Sequence, residues 1–100
     1  MESNWKQKSL EKLEKDRWGS APKEATDLVN SVYKLRTVQL EKLEPKDIRL
    51  LIGQGVGLKF IVPIALELLE EDLLIDAELY EGDLLQNVMK IGDDFWSNDV

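Results

Sequence analysis

Leu58-Lys59-Phe60-Ile61-Val62-Pro63-Ile64-Ala65-Leu66-Glu67-Leu68-Leu69 is the stretch on which the fold turns. Lys59 and Glu67 are its only charges. Ile64, Ala65, Leu66, Leu68 and Leu69 are apolar nearly all round, which describes a central helix buried on most faces. Pro63 has no N–H to offer the carbonyl of residue 59, so it either kinks one long helix or starts a new one. Lys59–Val62 is the one segment in the chain that passes for a strand.

Working upstream, Gly53, Gly55 and Gly57 interrupt helical propensity and predict a tight turn. Before them Pro45 starts a helix whose inner face is Ile48, Leu51 and Ile52. Thr37–Glu44 is a connector with Leu40 and Leu43 docking on the core. Ser20 as N-cap, Pro22 in the first turn and Glu24 against the dipole predict an amphipathic helix running to about Arg36. Its apolar positions are Ala25, Leu28, Val29, Val32, Tyr33 and Leu35. A first short helix carries Leu10 and Leu13, with Ser9 as cap and Gly19 as its end. Residues 1–8 are expected to fray.

Downstream, Asp72–Tyr80 reads as a loop or one helical turn. Asp83 then caps a helix with Leu84, Leu85, Val88, Met89 and Ile91 inside, and Gly92 ends it. Phe95 and Trp96 close the domain against the core. The fold expected is all-α. It is a single compact domain, residues 1–100, of about five to six short helices around the apolar helix at 58–69.

The 100 residues carry thirteen Lys and Arg, twenty Asp and Glu, and neither His nor Cys, for a formal charge of −7. An apolar share of 43% supports one modest core and is too high for a disordered acidic tail. Lack of Cys excludes disulfides and thiol nucleophiles, and lack of His removes the imidazole base and the usual zinc site. The acidic balance argues against direct nucleic-acid binding, which rests on cations that neutralise phosphates. Met1–Leu10 has no apolar core of a signal peptide, so a cytoplasmic protein is expected.

The charge is uneven. Residues 1–50 sum to +2 and residues 51–100 to −9. From Glu67 to Asp83 there are eight acids and no cation. Acids do line ordinary solvated helix faces, but eight like charges repel one another, and such a field attracts a basic partner.

Other chemistry fails on inspection. Gly53-Gln54-Gly55-Val56-Gly57 lacks the further Gly of a dinucleotide loop and the Gly-Lys-Ser/Thr of a P-loop. Gly53 and Gly57 share the spacing of a membrane dimer helix. There, however, Lys59 would sit mid-bilayer at a cost of roughly 2.5–3.5 kcal/mol, so no membrane span is expected. A calcium loop from Asp72 would need an oxygen ligand at residue 74 and Gly at 77, where Leu74 and Ala77 stand. No metal and no cofactor is expected. Trp18 and Trp96 read as core or rim; Trp5 has less cover, and Tyr80, between acids, is the better interface anchor.

Several motifs taken together resemble a known family. They are Trp18-Gly19, Ala25-Thr26 with Leu28-Val29, Leu35-Arg36, and Asp47-Ile48-Arg49-Leu50-Leu51-Ile52-Gly53-Gln54. Gly57-Leu58, Val62-Pro63-Ile64-Ala65-Leu66-Glu67-Leu68-Leu69-Glu70, Tyr80-Glu81-Gly82-Asp83-Leu84-Leu85 and Phe95-Trp96 complete the set. In this order they resemble the immunity proteins of bacterial contact-dependent growth inhibition (CDI) systems, from about Leu13 to Trp96. The resemblance implies a small cytoplasmic, non-enzymatic protein. It would bind and block the C-terminal toxin domain of a cell-surface effector, commonly a nuclease and most often an RNase, with RNase A-like toxins linked to a subset. The matched positions are fold determinants and do not identify the contacts.

Charge and resemblance meet at a basic nuclease whose active site an acidic surface would cover. The expected toxin-binding residues are Glu70, Glu71, Asp72, Asp76, Glu78, Tyr80, Glu81 and Asp83, with Asp93 and Asp94 beside them. The expected complex is a 1:1 heterodimer, and the free protein a monomer. The alternative reading is an acidic adaptor or antitoxin for an unrelated basic partner.

Overall fold

The computed structural model describes residues 4–77, 79–92 and 95. It is all-α: α1 (Leu10–Glu14), α2 (Asp27–Leu35), α3 (Pro45–Gly53), α4 (Leu58–Glu71) and α5 (Asp83–Met89), with short 3-10 turns at Trp5–Gln7 and Leu40–Lys42. No strand forms among the described residues; two isolated bridges, Ser9 with Gln39 and Asp76 with Glu81, are the only extended pairings there. The chain divides into two compact units, Met1–Glu44 and Pro45–Val100. The charge follows that boundary: nine cations and eight acids in the first, four and twelve in the second.

In the first unit, Ser9 caps α1 as expected, its Oγ accepting from the Lys12 N–H at 3.3 Å. The helix stops at Glu14, well before Gly19. Lys15 takes a left-handed conformation, φ 55°. The Asp16 N–H reaches the Glu11 carbonyl at 3.2 Å and the Lys15 N–H reaches that of Lys12 at 3.3 Å, the paired bonds of a Schellman stop. The physical reason is burial: Leu10 is fully buried, whereas Glu14–Arg17 offers nothing apolar to carry another turn.

α2 begins at Asp27, later than Ser20 and Pro22 suggested, because Thr26 is the cap that works. Its Oγ1 accepts from the Val29 N–H at 3.2 Å. Pro22–Ala25 is a separate turn closed by Ala25 N–H to the Pro22 carbonyl at 3.0 Å. Between Ser20 and Thr26 stand Ala21, Pro22, Lys23, Glu24 and Ala25, with no large apolar side chain to anchor an earlier start. Val32 is the buried residue of α2, and Leu28 and Val29 are exposed.

Arg36, just past α2, is the main polar tie in this unit. It is 2% exposed. Its Nη1 donates to Glu14 Oε1 at 3.1 Å and its Nη2 to the Asp16 carbonyl at 2.7 Å. The guanidinium lies 4.1 Å from the centre of the Trp18 ring, which meets Tyr33 edge-on at 5.0 Å. Arg36 thus joins the end of α2 to the end of α1 through charge, a carbonyl and a ring face.

In the second unit, α3 and α5 pack on α4. Ile48, Leu51 and Ile52 of α3 are buried, as their spacing predicted. The glycines make the expected helix-to-helix turn: Gly55 and Gly57 have φ 68° and 63°, and the Val56 N–H closes on the Leu51 carbonyl at 2.9 Å. α4 runs unbroken through Pro63. The carbonyl that Pro63 leaves without its helical partner belongs to Lys59, an exposed residue.

Ile61, Val62, Ala65 and Leu69 form the buried stripe of α4. Burial on most faces was expected and does not occur: Leu66, Glu67 and Glu70 are exposed. α5 is shorter than predicted. Gly82 is its cap, with φ 82°, and Asp83 is its first residue. It ends at Met89, before Gly92, with Leu84 and Val88 buried and Met89 in solvent. Asn87 ties α5 to α3 by donating to the Arg49 carbonyl at 3.0 Å. The expected packing of Trp96 lies outside the described residues.

Candidate functional site

The acidic run occupies the last turn of α4 and the loop that follows it. Asp72 ends α4 in an extended conformation and turns its carboxylate back, accepting from the Leu74 N–H at 3.1 Å. The chain then folds on itself. The Gly82 N–H reaches the carbonyls of Leu74 and Ile75 at 3.1 and 3.2 Å, and Asp76 bridges to Glu81. Tyr80 donates its hydroxyl to Gln86 Oε1. Gly82 must be left-handed here for the chain to pass from the loop into α5.

Asp83 holds this loop from beneath. It is 1% exposed. One carboxylate oxygen accepts from the Ala77 N–H at 2.8 Å and the other from the Leu79 N–H at 3.0 Å. Arg49 Nε from α3 lies 3.2 Å from the second oxygen. Two backbone donors and a guanidinium together justify a buried carboxylate, which would otherwise be expensive to desolvate. The placement of Asp83 on the toxin-binding surface is therefore corrected. It faces inward, because the loop needs an acceptor for its backbone N–H groups, and no partner reaches it while the loop is closed.

Glu70, Glu71, Asp72, Asp76, Tyr80 and Glu81 are exposed on this one segment. None of the five acids among them meets a Lys or Arg among the described residues. Thirty consecutive residues between Lys59 and Lys90 contain no cation. Glu78, Asp93 and Asp94 lie outside the described residues. Glu70 and Glu71 sit where the negative end of the α4 dipole is, with no basic residue in that last turn. That position disfavours each charge by about 0.3–1 kcal/mol.

Three residues not singled out in the sequence as contacts, Leu73, Leu74 and Leu79, also stand here beside Tyr80. Leu73 and Leu74 are each 57% exposed, Leu79 61% and Tyr80 49%. Large apolar side chains at no helical spacing, inside a stretch too charged to be core, are the signal that marks them. A cleft of about 300 Å³ opens elsewhere in this unit, lined by Ile52, Gly53, Asn87, Lys90 and Ile91. Its only charge is Lys90, and it holds no nucleophile or carboxylate. Among the described residues no group of three or more carboxylates is placed to hold a metal, and no helix is long and apolar enough to cross a membrane.

A family model described as CDI immunity proteins matches residues 12–100. The chain belongs to this family. The match takes in all five helices but for the first two residues of α1, and it leaves Trp5–Gln7 outside. No curated protein and no solved structure gave a match. As a CDI immunity protein the chain neutralises a CDI toxin by binding it, and the family is generally non-enzymatic. The resemblance stated from the motifs and the family match agree over nearly the same span.

Proposed function

We propose that this immunity protein silences a basic nuclease toxin by covering its cationic active site with the segment Glu70–Glu81. The observation that carries this reading is the run of exposed carboxylates, unpaired by any cation of their own segment, at a helix end where folding disfavours them. A charge placement that weakens the free protein is expected where a partner supplies the missing cations. Nuclease sites concentrate Lys, Arg or His to bind phosphate, and carboxylates take the place of that phosphate through charge-assisted hydrogen bonds. Inhibition is then occlusion, steric and electrostatic, with no chemical step.

The contact acids are Glu70, Glu71, Asp72, Asp76 and Glu81, with Tyr80 among them. Glu78, Asp93 and Asp94 add charge by sequence position. The chain acts as one immunity domain in the cytoplasm, a monomer when free and half of a 1:1 complex when bound. The toxin is an RNase, and the family resemblance implies the RNase A-like kind.

The test uses the C-terminal domain encoded by the gene immediately upstream. One molar equivalent of this chain should abolish its cleavage of RNA. The reading fails if that domain cuts neither RNA nor DNA, or if it keeps cutting when saturated with the immunity protein.

A further inference from the structure

We infer that Leu73, Leu74, Leu79 and Tyr80 form the apolar centre of the toxin interface, and that the toxin meets them with an apolar or aromatic side chain flanked by Lys and Arg. This rests on the reading of Glu70–Glu81 as the toxin-binding segment and adds the kind of contact that gives it lifetime.

Single exposed leucines are ordinary on a protein surface. Here four large apolar side chains, 49–61% exposed, fall within eight residues of one loop. Folding does not require their exposure. Leu73 and Leu74 follow a helix that buries Leu69, and Leu79 and Tyr80 precede a helix that buries Leu84. The described residues of the loop that presents them are tied by its own bonds: Asp72 to Leu74, Gly82 to Leu74 and Ile75, Asp83 to Ala77 and Leu79. A surface already held in shape loses little entropy on docking. Exposed apolar side chains interleaved with exposed acids along one segment suit the anatomy of interfaces, an apolar core inside a polar rim, and Tyr is among the residues that dominate such cores.

Charge decides the occupant. Two copies of this chain would bring five exposed carboxylates of one such segment against five of the other. A partner rich in Lys and Arg relieves that repulsion, and the CDI toxin is the partner the family supplies. The acids therefore set the rate of encounter, and the leucines set how long the complex lasts.

The experiment measures association and dissociation rates against the upstream-encoded toxin domain by surface plasmon resonance. Leu73→Ser/Leu79→Ser should raise the dissociation rate roughly 30-fold or more while changing the association rate less than about 3-fold. Asp76→Lys/Glu81→Lys should instead slow association. If the leucine variant dissociates like the wild type while the charge variant binds poorly, the apolar centre is wrong and the acidic reading stands. If the charge variant also binds normally, the acidic reading itself falls.

A second measurement does not depend on how the variant folds. In the wild-type complex, methyl groups of Leu73 and Leu79 should become shielded from a soluble paramagnetic probe. Methyls that stay accessible overturn the proposal. A free protein that dimerises through these leucines, seen by sedimentation and lost in the Ser variant, would overturn the choice of occupant.

Discussion

Replacing Asp83 by Asn should unfasten the acidic loop and destabilise the protein by about 3 kcal/mol. The side chain accepts from two backbone N–H groups at 2.8 and 3.0 Å and faces Arg49 at 3.2 Å, at 1% exposure. Asn keeps one oxygen and turns an NH2 group toward the other N–H, so one buried donor is left unsatisfied, at about 1–3 kcal/mol. Arg49 also loses its countercharge. Removing one partner of a fully buried pair costs roughly 3–5 kcal/mol, but Arg49 retains 23% exposure and can hydrate, which places its share well below that range. At about 4–8 °C per kcal/mol for a chain of this size, Tm should fall by about 12–24 °C. Urea denaturation gives the free energy, and hydrogen exchange locates it: the Ala77 and Leu79 amides should lose protection before the amides of α4. Asp76→Asn, the same change at an exposed site, should stay within about 0.5 kcal/mol of wild type. A loss under 1 kcal/mol for Asp83→Asn, with those two amides as protected as before, would refute the role given to Asp83.

Other outcomes follow from the same geometry. Glu70→Lys/Glu71→Lys should stabilise the free protein by about 1 kcal/mol at low salt by complementing the α4 dipole. The gain should fade toward 1 M salt, where the screening length is roughly 3 Å, and thermal melts at both ionic strengths will show it. The same variant should bind the toxin more weakly, so stability and binding move in opposite directions. Arg36→Ala should cost about 3 kcal/mol in urea denaturation, because the Asp16 carbonyl and the Trp18 face lose their partner together, and Arg36→Met should recover part of it by packing on Trp18. Gly82→Ala should cost about 1–2 kcal/mol from the left-handed backbone alone, since the nearest atom to an added Cβ, Leu74 Cδ2, is an ordinary contact at 3.7 Å.

The helical class and the inner face of α3 were legible because they rest on periodic burial of Ile48, Leu51 and Ile52. The buried stripe of α4, Ile61, Val62, Ala65 and Leu69, was not, because apolar residues stand on nearly all faces of that helix and their spacing does not single one out. Helix starts were less so. Ser20 and Thr26 are both acceptable caps, and what separates them is the apolar surface downstream, which only packing weighs. Lys15 in a left-handed stop has no signature, because the residue type expected there is Gly. At the site, the acids were legible by count, but their directions were not. Asp83 and Glu81 are two positions apart in one run, yet one is buried under the loop and the other exposed. The deciding fact is that Ala77 and Leu79 turn their N–H groups inward, which a sequence does not display. The loop leucines were visible as residues between the charges of a loop or helical turn, but nothing in the sequence showed that Leu73, Leu74 and Leu79 stand in solvent.

The central claim is that the position of the acids, more than the total charge, makes the complex. Two variants with the same change in net charge test it. Asp76→Lys/Glu81→Lys alters the loop, and Glu24→Lys/Glu41→Lys alters exposed acids of the first unit. Titration of each against the upstream-encoded toxin domain should show the loop variant weakened roughly 100-fold or more, with a flatter salt dependence, and the other within about 3-fold of wild type. Equal weakening in both, or none in either, would contradict the account.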